Sequence, residues 1–89
     1  MAYCELWLES MRGMSTFRVA LLAPEGFDLP EGFSIVEVQK SRKKKLYLSE
    51  CIVGIKAAKK EIEAAAQFYS DRKLKFLLFR EIRKPTEQA

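Results

Sequence analysis

One segment of the sequence, residues 55–70, has the residue spacing of an amphipathic helix. Apolar side chains recur there at steps of three and four residues, at Ile55, Ala58, Ile62 and Tyr69, in a stretch rich in Ala, Lys and Glu. The opposite side of this helix carries lysines and other polar residues. The apolar side also includes Ala65 or Ala66, and small residues of this kind suit close packing on a sheet.

The remaining apolar segments have the features of β-strands. They alternate apolar with polar side chains or are rich in β-branched and aromatic residues, and turn signals separate them. The predicted strands are residues 3–10, 15–22, 33–40, 46–48 and 74–82.

Together these segments predict an α+β fold. We expect a small antiparallel sheet of four to five strands, in the order β-β-β-β-α-β, with the one long helix packed on one face. Apolar residues on both sides of residues 74–82 favour a central position in the sheet for that strand. A chain of 89 residues has room for one domain, expected at residues 1–84, with a flexible tail at residues 85–89.

Three local alternatives remain open in the sequence. Residues 3–12 also fit a short helix that ends at Gly13, and residues 55–84 contain no Pro or Gly, so one long helix is an alternative there to a helix and a strand. Ser49 either caps the helix or lies in a strand that continues to Gly54.

A loop is predicted at residues 23–32, where a short motif repeats. Pro24-Glu25-Gly26-Phe27 recurs as Pro30-Glu31-Gly32-Phe33, which indicates two consecutive tight turns. The two phenylalanines either fold back onto the core or serve as exposed docking residues. The carboxylates of this loop are interpreted as solvated turn residues.

Catalytic and metal-binding residues are scarce. The chain has no histidine, which removes the most common general base near neutral pH and the most common metal ligand. Its two cysteines, Cys4 and Cys51, form no CxxC pair and lie in apolar patterns, so both are expected to be buried free thiols in a reducing compartment, the cytoplasm. No nucleotide-binding, zinc-protease, esterase or calcium-binding motif occurs. We therefore expect no enzyme, no metal and no cofactor.

Charge is distributed unevenly along the chain. Residues 1–39 contain two basic and six acidic side chains, a balance of −4, whereas residues 40–89 contain fourteen basic and six acidic side chains, a balance of +8. Five cations fall within six residues at Lys40, Arg42, Lys43, Lys44 and Lys45, between two predicted strands. This spacing predicts a hairpin with a cationic tip that faces the solvent.

The candidate binding surface extends from this tip. Lysines on the polar side of the helix enlarge it, Tyr47 is a candidate for stacking on a base or for packing in the strand, and Arg80, Arg83 and Lys84 join it if the last strand ends nearby. The full set of candidate binding residues is Lys40, Arg42, Lys43, Lys44, Lys45, Tyr47, Lys56, Lys59 and Lys60.

Two hypotheses about function follow. The first is a small non-catalytic binding module that docks through the tip and the helix lysines on nucleic acid or on a nucleoprotein complex. The alternative is a small accessory or inhibitor protein, of the kind that phages and mobile elements encode, which blocks a larger host complex by protein contact, for example at an acidic surface. The helix covers only one face of the sheet, so apolar residues such as Leu77 and Phe79 on the other face also suggest a homodimer or a docked partner. No signal peptide or membrane span is predicted.

Overall fold

The structure is a computed structural model that describes residues 3–11, 15–27, 29 and 35–84. These residues form six strands and one helix, which confirms the predicted α+β class. The elements are β1 (Cys4–Ser10), β2 (Thr16–Pro24), β3 (Ile35–Ser41), β4 (Lys44–Ser49), β5 (Ile52–Val53), α1 (Ile55–Asp71) and β6 (Phe76–Arg83).

The strands form one mixed sheet rather than an antiparallel one. Its main order is β3-β4-β2-β1-β6, and the short β5 pairs with the start of β2. All neighbours are antiparallel except β1 and β6, which run parallel. This difference arises because α1 carries the chain back along the sheet before β6 begins, so that β5 and β6 point in the same direction. Parallel strands require a crossover of this kind.

The prediction of a central position for β6 was wrong, because β6 lies at an edge of the sheet. Its apolar residues face two separate clusters: Phe76 and Leu78 pack on the helix side, and Phe79 packs on the opposite side. Leu77 remains half exposed. β6 therefore has apolar residues on both faces because an apolar cluster lies on each face of the sheet. The pattern does not mean that β6 has a neighbouring strand on both sides.

The main core lies between α1 and the sheet. Alternate residues of β1 and β2 point toward the helix, where Ala58 and Ala65 are completely buried and allow the helix to approach closely. Tyr69, at the far end of the same helix face, is buried too, and burial together with the nearby Cys4 and Tyr47 raises its pKa to about 12.

A second, smaller cluster occupies the opposite face of the sheet. It consists of Trp7, Ala20, Leu46 and Leu48, all buried. This face is therefore less bare than the sequence suggested, and of the two residues behind the dimer hypothesis Leu77 is exposed and Phe79 is half-buried.

The local alternatives are resolved by the backbone. Residues 4–10 form a strand, and the segment after Ile55 is a helix followed by a strand, with Lys73 in a left-handed conformation (φ 59°) between them. Ser49 does not cap the helix: its hydroxyl accepts a hydrogen bond from the backbone N–H of Val19 at 2.8 Å, and Gly54 occupies the N-cap position.

Both cysteines are free thiols, but only Cys4 is buried, and burial raises its pKa to about 11. Cys51 is exposed, contrary to prediction, because it lies in the break between β4 and β5 where strand alternation is lost. Phe27 packs against the main core, as the anchoring interpretation expects. Phe33, residues 12–14 and the tail at 85–89 lie outside the described residues.

Candidate nucleic-acid interface

The predicted basic hairpin is present between β3 and β4. Lys40 pairs directly with Lys45, Ser41 pairs with Lys44, and Arg42 and Lys43 form the two-residue turn. We refer to Lys40, Arg42, Lys43, Lys44 and Lys45 as the basic tip. The tip presents its cations in several directions: Lys40 and Lys45 lie on the helix side of the sheet, Lys44 on the opposite side, and the turn residues at the end.

The basic tip is held by the end of β2. Pro24 pairs with Lys44 and Ala23 with Lys45, so that the cationic end of the hairpin still has a strand beside it. Just beyond β2, the backbone N–H of Glu25 donates a hydrogen bond to the carbonyl oxygen of Lys43 at 2.7 Å. The tip is therefore a braced end of the sheet rather than a free ribbon.

Among the residues that the structure describes, the cations of the basic tip have no ion-pair partner. In residues 3–11, 15–27, 29 and 35–84, no tip cation forms a salt bridge or a side-chain hydrogen bond with a carboxylate. By contrast, Arg18, Arg80 and Arg83 each pair with a glutamate. The Lys40–Lys45 pair places two like charges directly opposite each other, an arrangement that destabilises a hairpin.

A shallow pocket of about 220 Å³ lies at the tip, lined by all five cations and by Glu25. With five positive charges and one negative charge, the lining carries a net charge of +4. Sequence reasoning missed Glu25 as a member of this site and treated it as a turn residue. The sequence contains no local signal for it, because Glu25 reaches the tip through the long-range pairing of β2 with β4.

The structure does not bring the helix lysines to the basic tip. Lys56, Lys59 and Lys60 lie in the first two turns of α1, which starts beside the beginning of β2, where Gly54 donates a hydrogen bond to Ser15. The tip lies beside the other end of β2. From Phe17 to Pro24 the strand rises roughly 23 Å at about 3.3 Å per residue.

The other candidate residues also lie away from the tip. Tyr47 is half-buried and packs against the main core, so its ring is engaged within the fold. Arg83 is paired in register with Glu9, which places the end of β6 beside the start of β2, at the end of the sheet opposite the tip. Arg80 and Arg83 are further occupied by ion pairs with Glu63 and Glu81.

In the described part of the chain, no group of three His, Cys, Asp or Glu side chains is arranged to hold a metal ion. The described helix is neither long enough nor apolar enough to cross a membrane.

Comparison with known proteins adds no relative. No protein-family model, curated protein or solved structure matches this chain.

Proposed function

We propose that this chain is a non-catalytic binding module that holds the phosphate backbone of nucleic acid through its basic tip. One observation carries the proposal: five cations at the braced end of a hairpin have no carboxylate partner among the described residues. An external polyanion supplies the missing countercharge. Each phosphate contact also releases condensed counterions, which favours binding further.

The cost to folding supports the same conclusion. A sequence selected only for stability gains from an opposite charge at position 40 or 45, because like charges across a hairpin repel. The presence of both lysines is explained if the tip binds an anion that lies close to both. The shallow pocket lined by the five cations provides a surface for adjacent phosphate groups of one backbone.

The composition of the tip supports binding to the backbone rather than reading of the bases. Four of the five cations are lysines, which act as point charges, and only Arg42 offers the forked geometry that recognises guanine. We therefore propose binding without marked sequence preference. The free thiols Cys4 and Cys51 favour a reducing compartment, and the proposal places the module in the cytoplasm.

Fluorescence anisotropy with a labelled duplex of arbitrary sequence tests the proposal. With four to five phosphate contacts, the affinity should fall roughly 150- to 500-fold between 50 and 200 mM salt. The double variant K43E/K44E should lose binding at 50 mM salt. The matched variant K56E/K60E, with the same change in charge on the helix, should retain most of it.

Two outcomes would overturn the proposal. One is the absence of binding by the wild-type chain at 50 mM salt, which would favour an acidic protein surface as the partner. The other is an equal loss of affinity in K43E/K44E and K56E/K60E, since net charge rather than the tip would then determine binding. Circular dichroism of each variant verifies that the fold is intact.

A further inference from the structure

A groove separates α1 from β6 at the edge of the sheet. The helix packs mainly across β1, β2 and β5, which leaves its flank toward β6 less covered. In addition, β6 is irregular: Leu6 pairs with Leu78 but Leu8 pairs with Ile82, so three residues of β6 lie opposite one residue of β1. Such a bulge bends a strand and redirects its side chains.

The groove is apolar inside. Leu8 and Ile62 are buried and form its floor, and Leu78 and Ile82 form the wall on the β6 side. Ile82 is 42% exposed, so its side chain is accessible from the solvent. The volume is about 250 Å³. A cavity of about 150 Å³ holds a benzene ring, so this groove has room for a small ring or a short aliphatic chain but not for a helix.

The rim of the groove is positively charged. Lys59, Glu63 and Arg80 line it, and the Arg80 guanidinium pairs with the Glu63 carboxylate at 2.7 Å. Lys59 forms no ion pair with any residue that the structure describes. With two cations and one anion, the rim carries a net charge of +1, and the uncompensated charge is at Lys59.

From this arrangement we infer that the α1–β6 groove binds a small amphipathic carboxylate. The aliphatic or aromatic body of the ligand packs on Leu8 and Ile62, and its carboxylate pairs with the ammonium group of Lys59. This binding site is independent of the basic tip, because it lies at the β6 edge of the sheet, whereas the tip lies at the β3–β4 edge.

Nuclear magnetic resonance titration with three ligands of equal chain length tests the inference. Heptanoate, hexanol and hexylamine share the same hexyl chain and differ in charge. We expect saturable shifts at the amides of Lys59–Glu63 and Leu78–Ile82. Heptanoate should bind about 2- to 5-fold more tightly than hexanol, as expected for an exposed ion pair, and hexylamine should bind most weakly.

Variants separate the charge from the apolar contact. Lys59→Glu should reverse the order, so that hexylamine binds most tightly, whereas Lys60→Glu, an equal change of charge beside the groove, should preserve it. Ile82→Ser should weaken all three ligands alike. Absence of saturable shifts at these amides, or an unchanged order in Lys59→Glu, would overturn the inference, and a well-dispersed spectrum verifies that each variant is folded.

Discussion

Replacement of Lys40 by glutamate should stabilise the fold while it weakens nucleic-acid binding. Lys40 and Lys45 are directly opposed across the hairpin, so the substitution converts a repulsive pair into an attractive one. Cross-strand charge pairs contribute about 0.2–1 kcal/mol each, and Lys40 is exposed, so the expected gain is about 0.5–1 kcal/mol. For a chain of this size, that gain raises the Tm by about 2–8 °C.

A double-mutant cycle isolates this pair from the overall change in net charge. Lys40→Glu and Lys45→Glu should each relieve the repulsion between the two positions. The double variant should restore the repulsion with two negative charges. Its stability should therefore fall well below the sum of the two single effects, and this difference is the coupling energy. Urea denaturation followed by circular dichroism measures the free energy of unfolding of all four proteins. The coupling should shrink at high salt because the pair is near the surface.

The reasoning about the tip fails if Lys40→Glu leaves stability unchanged or lowers it. It fails equally if the coupling energy is near zero at low salt, since the two ammonium groups would then not repel each other. In either case the opposed lysines impose no cost on folding.

Three further predictions concern the rest of the fold. Ala58→Leu should lower the free energy of unfolding by about 1–3 kcal/mol in urea denaturation, because Ala58 is fully buried at the contact of the helix with the sheet. Thiol labelling of the native chain at pH 8 should modify the exposed Cys51 and spare Cys4. Cys4 is buried, and its pKa of about 11 keeps the thiol protonated at that pH. Rapid labelling of both cysteines would contradict this prediction. Glu9→Gln should lower the free energy of unfolding by about 1–3 kcal/mol in the same urea assay, because the buried carboxylate of Glu9 accepts a hydrogen bond from Arg18 at 3.2 Å. An unchanged urea midpoint would contradict this role of Glu9.

The local elements of the fold could be predicted from the sequence because their signals are local. Spacing at three and four residues identified α1, and the strand-turn-strand pattern around the basic run identified the hairpin of β3 and β4. The left-handed residue that separates the helix from β6 is Lys73, and neither Gly nor Pro marks that position. The end of the helix was therefore harder to predict than its body.

The arrangement of the elements depended on pairings that the sequence does not encode locally. The parallel pairing of β6 with β1 joins residues about 70 positions apart. Apolar residues on both faces of β6 suggested a central strand, but they pack on the two clusters of a strand that lies at the edge. The same limitation affected the site. The five tip cations were predicted because they lie close together in the sequence. The pairing of β2 with β4 and β5 brings Glu25 to the tip and keeps the helix lysines away from it, and this pairing could not be read from the sequence.

The most direct test of the central claim is a nuclear magnetic resonance titration of the chain with a short DNA duplex at low salt, followed at the backbone amides. The largest chemical-shift changes should fall on the basic tip and on Glu25, and they should decline together as salt is added. Changes centred instead on Lys56–Lys60 or on β6, or a spectrum that the duplex leaves unaltered, would contradict the assignment of the tip as the binding surface.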